Sequence, residues 1–271
     1  MIIVHASDLH FGKPHRVSVR EALGRFISDT GPGAVVVSGD LTQRAKAEEF
    51  RQARAFLDTL QPTPVVTTVG NHDVPLYRVW ERLFNPYKQY RNHIDKALDT
   101  VADAAGARFV ALNTAAPRTQ IVNGRLLRSQ LEFARRSFQG APTGATKILV
   151  IHHHVMSPGD REPDVPLPNS GTIIRCFHEW GVDLVLSGHL HRSFIKTAAE
   201  GLPGGAVQRS LPIVHTGTST SGRGRGREKG RNSVNLIRVE EMEIEVTVYL
   251  YSEDAGRFLP DESHRFPRGV W

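Results

Sequence analysis

Acidic, amide and imidazole side chains follow five aliphatic runs of this 271-residue sequence. Oxygen and nitrogen donors without sulfur suit Mn, Fe, Zn or similar divalent ions. The number of these polar side chains indicates two ions rather than one. A carboxylate such as that of Asp40 can bridge two ions with its two oxygens. The side chains in question belong to Asp8, His10, Asp40, Asn71, His72, Asp73, His152, His189 and His191.

Two neighbouring metal ions suit one reaction in particular. Paired ions lie about 3.5 to 4 Å apart and stabilise both the attacking and the leaving oxygen of a phosphoryl displacement. Two divalent ions set against the carboxylates of Asp8 and Asp40 and one bridging hydroxide leave net positive charge. The residue types therefore favour a site that attracts a phosphate ester.

The elements that carry these side chains are predicted by an alternation of short β-rich runs and longer amphipathic runs. The runs "IIVHAS", "AVVVSG" and "PVVTTVG" alternate with helices predicted over 17–29, 46–60 and roughly 76–104. The runs "RFVALNT", "KILVIHH" and "VDLVLSGH" alternate with helices predicted near 129–138 and 172–180. Aliphatic runs bounded by Gly or Asp are typical of strands buried on both faces. Because ligands bind beyond the carboxyl ends of strands in such sheets, we expect the five polar turns to meet in one crevice.

The C-terminal third has a different character. After residue 190, "SFIKTA", "PIVHTGT", "SVNLIRVE" and "EIEVTVYLY" predict strands with little helix between them, and "VEEMEIE" predicts a tight hairpin turn. We therefore expect an α/β fold in which two sheets form a β-sandwich and helices flank it. We expect one domain over 1–271, with catalytic blocks at 8–191 and a β-rich segment at 192–271 that completes the second sheet.

Five short blocks resemble, in order, the motifs of the calcineurin-like metallophosphoesterases. The blocks are "DLH", "GD", "GNHD", a strand that ends in His, and "GHLH", and they span residues 8 to 191. The resemblance implies a four-layer α/β/β/α sandwich, two divalent ions, and a hydroxide that bridges the ions and attacks phosphorus in line. It implies one ion held by Asp8, His10, Asp40 and His191, and a second ion held by Asp40, Asn71, His152 and His189.

The same resemblance implies roles for two further residues of the third block. His72 would stabilise the phosphorane oxygens or protonate the leaving alkoxide. Asp73 would hold the imidazole of His72 in place. Neither residue would be a metal ligand.

The run "HHH" at 152–154 leaves one ligand position open. In the family the ligand comes directly after the strand, which points to His152. If the strand extends one residue beyond "KILVI", His153 takes that place. The other histidines of the run, His154 among them, would line the site or serve the structure.

Subfamily features favour a small phosphodiester as the substrate. The block "GDLTQRAKAEEF" resembles the "GDLTD...EY" block of bacterial cyclic-nucleotide phosphodiesterases, which implies a cyclic nucleotide or a glycerophosphodiester-like substrate. Two features depart from that pattern, namely Val69 in place of Pro and "HHHVMSP" in place of "HHPP". The sequence lacks the "DRG" and "GNHE" elements of Ser/Thr protein phosphatases, and His72 stands where lipid A precursor hydrolases carry Arg.

Two other functions stay open as alternatives. The opening "ASDLHFGK" resembles that of the DNA-repair nucleases, and a net charge of +6 with a pI near 9.7 favours an anionic partner such as nucleic acid. We favour the small substrate because little chain follows the catalytic blocks to form the capping domain of those nucleases. The second alternative is a metal-binding scaffold that kept the fold and lost the chemistry.

A basic run, "GRGRGREKGR" at 222–231, contributes much of the positive charge. The sequence predicts a solvated, mobile loop here rather than an arm that binds nucleic acid, because the run is too rich in glycine to pack.

Composition narrows the cellular setting. The sequence has no apolar run long enough to span a membrane, and its first residues lack the basic region of a signal peptide. Cys176 is the single cysteine, which excludes an internal disulfide and a thiolate metal cluster. We expect a cytoplasmic protein that binds a small anionic phosphoester and no membrane. The sequence leaves the oligomeric state open, a homodimer included.

Overall fold

The structure is a computed structural model that describes residues 1–119, 122–159, 164–201 and 211–268. Its first sheet consists of β1 Ile2–Ala6, β2 Ala34–Val37, β3 Val65–Thr67, β10 Ser233–Val239, β11 Glu243–Ser252 and β12 Arg257–Pro267. The order across this sheet is β12-β11-β10-β1-β2-β3. Strands β1, β2 and β3 are parallel, whereas the three C-terminal strands pair antiparallel with their neighbours.

The second sheet also mixes parallel and antiparallel strands. It consists of β4 Thr100–Ala104, β5 Ala107–Ala111, β6 Thr146–Val150, β7 Leu184–Ser187, β8 Phe194–Thr197 and β9 Pro212–His215. The order is β4-β5-β6-β7-β9-β8, with β5, β6, β7 and β9 parallel. The parallel strands of both sheets thus end in the turns that carry the polar blocks.

Helices connect the parallel strands. Their bounds are α1 Val17–Thr30, α2 Ala47–Asp58, α3 Val79–Phe84, α4 Lys88–His93, α5 Arg128–Gln139, α6 Ser170–Glu179 and α7 Ala198–Gly201, and 3-10 turns occur at Asn71–Asp73 and Gly226–Glu228. Gly31 caps the C-terminus of helix α1, adopts a left-handed φ of 55° and donates its N–H to the carbonyl of Ile27. No helix among the described residues is long and apolar enough to cross a membrane.

Strand β2 shows why both faces of a strand are aliphatic. Ala34 and Val36 lie in the apolar layer between the two sheets, whereas Val35 and Val37 belong to the cluster that contacts α1 and α2. Successive side chains of a strand point to opposite faces, so both sets are buried. A third apolar cluster lies between the second sheet and helices α5 and α6. The layers therefore follow the order α/β/β/α, which confirms the predicted fold class.

The region 76–104 differs from the long helix that its pattern predicted. It forms the short helices α3 and α4 and then strand β4. Pro86 separates the two helices, because proline disrupts the backbone hydrogen bonding of a helix interior. Trp80 and Phe84 have the spacing of a buried helix face but are 75% and 74% exposed.

The C-terminal segment contributes to both sheets. Strands β8 and β9 extend the second sheet, as expected, but β10, β11 and β12 extend the sheet that contains β1. The expectation that residues 192–271 complete the second sheet is therefore only partly correct. The predicted hairpin turn between β10 and β11 is confirmed, with the N–H of Glu240 donating to the carbonyl of Glu243.

Candidate metal centre

The turns after β1, β2 and β7 hold their polar residues in an unusual backbone conformation. Positive φ angles of 54°, 48°, 51°, 82° and 56° occur at Asp8, His10, Asp40, His189 and His191. Non-glycine residues adopt such angles at a cost, and strain of this kind concentrates at functional sites. Among the described residues, these five account for most of the eight non-glycine residues with positive φ.

Glycines in the same turns allow the close approach of neighbouring side chains. Gly39 has a φ of 95°, and a Cβ at this position would lie 2.6 Å from Nδ1 of His152. A Cβ at Gly188 would lie 2.6 Å from Oδ2 of Asp8. Both distances are far below van der Waals contact, so these turns exclude any larger residue.

The first cluster of donor atoms comes from the turns after β1, β2 and β7, and it contains Asp8, His10, Asp40 and His191. Nε2 of His10 lies 3.0 Å from Nε2 of His191 and 3.6 Å from Oδ1 of Asp8. Oδ1 of Asp8 lies 3.0 Å from Nε2 of His191. Nε2 of His10 also lies 3.7 Å from Oδ2 of Asp40, so all four side chains point at one position.

A second cluster adjoins the first through Asp40. Nε2 of His152 lies 3.4 Å from Oδ2 of Asp40 and 3.2 Å from Oδ1 of Asn71. Nδ1 of His189 lies 2.9 Å from the same Asn71 oxygen. Asp40 therefore stands between two groups of donors, as a bridging carboxylate would.

Two carboxylate oxygens in this cluster lack hydrogen-bond partners. Oδ1 of Asp8 and Oδ2 of Asp40 are buried, and neither has a partner among the residues that the structure describes. A buried polar atom left unpaired is costly, so such atoms call for an explanation. Metal bonds of about 2.0–2.2 Å place neighbouring ligand atoms of one ion roughly 3 to 3.6 Å apart, and the donor distances above fit that spacing. The residues present therefore fit metal ions.

The electrostatics of the cluster favour cations. Burial by itself would raise the pKa of Asp8, but the neighbouring imidazoles of His191 and His10 outweigh it and hold that pKa well below its ordinary value. Burial lowers the pKa of His10 to about 4, so its ring is neutral at neutral pH, which is the form that binds metal. Burial disfavours a charge on His152, but Asp40 and Asp8 outweigh it and raise the pKa of His152 to about 9.

Residues 1–193 match the sequence profile of the calcineurin-like phosphoesterases. This match covers more than half of the chain, and the matched region contains the turns that form the two donor clusters. The chain belongs to the calcineurin-like phosphoesterase family. It is a metal-dependent phosphoester hydrolase.

Two curated relatives of this calcineurin-like phosphoesterase come from bacteria. It is 27% identical over 199 residues to a protein of Synechococcus named probable cyclic nucleotide phosphodiesterase, a match that covers 70% of this chain and 72% of the relative. It is 28% identical over 212 residues to a cAMP/cGMP dual specificity phosphodiesterase of Mycobacterium tuberculosis, covering 71% of this chain and 62% of the relative.

Solved structures support the same fold. A purple acid phosphatase from yellow lupin seeds superposes with a TM-score of 0.71 at 12% identity, covering 99% of this chain and 54% of the plant chain. A dimetal phosphatase from Danio rerio superposes with a TM-score of 0.64 at 12% identity, covering 99% of both chains. At such identities the likeness shows the fold alone.

The run 152–154 of this phosphoesterase has three different environments. His152 has Nδ1 2.7 Å from the carbonyl oxygen of Ser38, which leaves Nε2 to face Asp40. Both nitrogens of His153 are engaged elsewhere, at 2.7 Å from Oγ1 of Thr114 and 3.0 Å from the carbonyl oxygen of Val122. Strand β6 ends at Val150, and a donor atom of His153 also lies within 4.8 Å of donor atoms of His152 and His189.

His154 takes a third position. It is buried and lines the cleft, and neither of its ring nitrogens has a hydrogen-bond partner among the described residues. Its ring stacks on that of His189 at a centroid distance of 6.0 Å.

The ring of His72 is held by Gln43 and not, as the resemblance had implied, by Asp73. The backbone N–H of His72 donates to Oδ1 of Asp40 at 2.7 Å, and Nδ1 lies 2.9 Å from the carbonyl oxygen of Gln43, to which it must donate. Asp73 does not hold this ring. Its carboxylate instead accepts hydrogen bonds from the backbone N–H groups of Leu41, Thr42 and Gly70, which ties the second block to the third.

The surroundings of Asp73 also raise the pKa of its carboxyl group. Burial and the negative charge of Asp40 raise the pKa of Asp73 to about 7, although the three backbone donors favour the charged form. The expectation that Asp73 orients His72 is therefore wrong, because its oxygens are occupied by the backbone of the neighbouring turns.

One residue of the site was missed in the sequence. Nη1 of Arg223 lies 3.1 Å from Nε2 of His72 and 3.1 Å from Oε1 of Gln43. Arg223 belongs to the basic run 222–231, and the prediction that this run is too glycine-rich to pack is wrong. The available signal in the sequence was the arginines at 223, 225 and 227, and this spacing does not show which of their side chains faces the site.

The clusters open onto a cleft of about 460 Å³. Its walls combine donor residues with basic residues and with apolar residues near the rim. The cleft is lined by Asp40, Asn71, His72, Val122, Asn123, His154, Asp164, Val165, His189, Leu190, His191, Arg223 and Arg225.

Proposed function

We propose that this phosphoesterase hydrolyses a small phosphodiester with the help of two divalent metal ions. The observation that carries the proposal is the position of the buried Oδ2 of Asp40, which makes no hydrogen bond and lies between two groups of imidazole donors. A carboxylate in this position can serve two ions. Mn, Fe and Zn all suit the oxygen and nitrogen donors around it.

The proposal assigns each ion a set of ligands. The two sets share Asp40, and each combines carboxylate or amide oxygen with imidazole nitrogen. The first set is Asp8, His10, Asp40 and His191, and the second is Asp40, Asn71, His152 and His189. The donor distances support both sets.

The metal ions and the residues around them have different roles in the proposed reaction. Bound divalent ions supply a hydroxide nucleophile at neutral pH and stabilise charge that develops on phosphate oxygens. The backbone N–H of His72 holds the carboxylate of Asp40 in place, and the ring of His72 is fixed by the carbonyl of Gln43. A role for His72 as an acid requires a proton on Nε2, which in this structure accepts a hydrogen bond from Arg223.

The size of the cleft supports a small substrate. A volume of about 460 Å³ is large enough for a compact organic phosphate. Val122 and Val165 near the rim are 61% and 64% exposed and offer apolar contact to an organic group. The names of the bacterial relatives support a cyclic nucleotide as this substrate.

A substrate panel tests the proposal. The metal-loaded protein is assayed with cyclic nucleotides, glycerophosphodiesters, nucleotide monoesters and single-stranded DNA, with Asp40→Ala as the control for contaminating hydrolases. We expect turnover of a small diester that Asp40→Ala lacks. Turnover of DNA alone would replace the proposal with a nuclease function, and an inert protein that holds two equivalents of metal would support a scaffold.

A further inference from the structure

The Gly-Arg segment, residues 222–231, brings one guanidinium group into the cleft. Nη1 of Arg223 contacts His72 and Gln43. Within the described part of the chain, Nε and Nη2 of Arg223 have no hydrogen-bond partner. Because Arg223 lines the cleft beside Asp40 and His191, these N–H groups are available to an anion that enters it.

The positive charge of Arg223 has no carboxylate in direct contact among the described residues. Its two contacts are neutral acceptors, the side-chain amide of Gln43 and the unprotonated Nε2 of His72. Gln43 stands where the "GDLTD" pattern has an acidic residue, so the amide holds the guanidinium without neutralising it. Asp40 and Asp8 act on it only through space, and those carboxylates would be neutralised by the cations they could bind.

A buried carboxylate anchors the segment. Glu228 is 1% exposed and accepts hydrogen bonds from the N–H of Ser193 at 2.6 Å and from Oγ of Ser233 at 2.7 Å. Gly224 lies so close to it that a Cβ would stand 2.0 Å from the carbonyl oxygen of Glu228. The glycines therefore let the chain fold tightly around this anchor instead of leaving it solvated.

The segment is also fastened to the candidate ligand His191. The carbonyl oxygen of Arg223 lies 3.2 Å from Nδ1 of His191, and the N–H of Arg225 donates to the carbonyl of His191 at 2.9 Å. A second residue that contacts a ligand's free nitrogen fixes the orientation of the ring. The backbone of Arg223 thus orients His191 while its side chain points into the cleft.

We infer that Arg223 binds a non-bridging oxygen of the substrate's phosphate group and stabilises the charge that develops there. This inference rests on the proposed function of the same site. A guanidinium group binds phosphate oxygens with two parallel N–H groups, which a lysine ammonium does not reproduce. The segment is then a wall of the substrate site and not an arm for nucleic acid.

The test compares two variants of the same segment. Arg223→Gln and Arg227→Gln each remove one positive charge, but Arg227 is 56% exposed and contacts Glu262 at 2.9 Å outside the cleft. Both variants keep the backbone carbonyl that orients His191. We expect Arg223→Gln to lose about 10²-fold in kcat/KM toward bis-p-nitrophenyl phosphate, as removal of one oxyanion donor does, with two equivalents of metal retained. Arg227→Gln should stay within twofold of the wild type.

Two further readouts separate substrate binding from a structural role. Guanidinium ion added to Arg223→Ala should restore part of the rate, and it should not stimulate Arg227→Ala. The affinity of the metal-loaded protein for inorganic phosphate, measured by calorimetry, should fall about tenfold in Arg223→Gln and stay unchanged in Arg227→Gln.

Three outcomes would overturn the inference. These are equal kinetics and phosphate affinity in the two glutamine variants, loss of metal in Arg223→Gln, and absence of guanidinium rescue together with unchanged phosphate affinity. Failure of the proposed function has a different signature. In that case the wild type hydrolyses no phosphodiester, whereas the phosphate titration still decides whether Arg223 binds the anion.

Discussion

Nε2 of His10 lies 3.0 Å from Nε2 of His191, although 181 residues separate the two histidines along the chain. Two imidazole nitrogens at this distance repel each other unless they share a proton or a cation. Oδ1 of Asp8 lies close to both nitrogens and has no hydrogen-bond partner among the described residues. The arrangement therefore favours a bound cation, and the fold brings these side chains together from the two ends of the span 8–191.

Metal binding should stabilise the protein. Mn²⁺ at about one hundred times its dissociation constant contributes roughly 2.7 kcal/mol to the free energy of unfolding, which for a chain of this length raises Tm by about 5 to 10 °C. Differential scanning fluorimetry of the chelator-treated protein with and without Mn²⁺ measures the shift. The Asp40→Ala variant should show a much smaller shift, and an equal shift would mean that the ion binds elsewhere.

Removal of the bridging carboxylate or of the amide ligand should abolish metal binding at the centre. We expect Asp40→Ala and Asn71→Ala to lose metal and to lose turnover, because each removes an oxygen donor that lies among the imidazoles. Elemental analysis and initial rates measure both effects. Asp58→Ala, which removes an exposed carboxylate of α2, is the control. Full metal content in Asn71→Ala would exclude it from the ligand set.

The three consecutive histidines should respond differently to alanine substitution. His152→Ala should lose at least one equivalent of metal, because Nε2 of His152 faces Asp40 and Asn71. His153→Ala and His154→Ala should retain both equivalents, since the ring of His153 is engaged with Thr114 and Val122. Metal analysis of the three variants decides the matter, and loss of metal in His153→Ala alone would reverse the assignment.

His72→Ala should keep its metal and lose rate. The contact between His72 and Asp40 is made by the backbone N–H, which alanine retains, whereas the ring next to Arg223 disappears. We expect a fall in kcat of about 10²-fold, the scale seen when one group that stabilises the transition state is lost, because the ring that holds Arg223 at the substrate site is removed. The matched control is His264→Ala on β12, where the side chain contacts Glu262 and not the donor residues. A fully active His72→Ala variant would remove its assigned role.

The buried histidine of β1 should make the protein sensitive to acid. Burial lowers the pKa of His5 to about 3, while the unfolded chain binds the same proton near pH 6.5. The unfolded state therefore holds more protons than the folded state between these values, and stability falls as the pH drops below about 6.5. Each such proton changes the free energy of unfolding by about 1.4 kcal/mol per pH unit.

Urea unfolding at pH 7.5 and pH 5.5 measures this effect. The His5→Gln variant should be less stable at both values, because it loses the hydrogen bond to Ser38. It should nevertheless lose less stability than the wild type on acidification. An identical pH dependence in the two proteins would show that His5 does not carry the linked proton.

The sheet and the donor residues were predictable because both follow local rules. Strands buried on two faces are continuous aliphatic runs, and "AVVV" of β2 is an example. Polar residues that follow parallel strands lie at the carboxyl edge of their sheet, so Asp8 and Asp40 of the first sheet could be grouped from the sequence. His189 follows β7 of the second sheet, and its approach to them depends on how the two sheets pack. The positive φ angles of these residues were not predictable, because tertiary contacts impose them.

The two errors had different causes, an overlooked local signal and a long-range contact. Trp80 and Phe84 have helical spacing, but Pro86 limits the helix to Val79–Phe84 and the aromatic side chains lie at the surface. The segment at 222–231 is glycine-rich by composition, yet the burial of Glu228 against Ser193 fixes it. Pro86 is visible in the sequence, whereas the contact between Glu228 and Ser193 leaves no trace in local composition.

Titration of the chelator-treated protein with Mn²⁺ tests the central claim most directly. The rate of bis-p-nitrophenyl phosphate hydrolysis is measured as the ratio of Mn²⁺ to protein increases from zero. The two-ion account predicts negligible hydrolysis without metal and a rate that reaches its maximum when two equivalents are bound. A protein that binds two equivalents and remains inert toward phosphodiesters, or one that is fully active with a single equivalent, would contradict it.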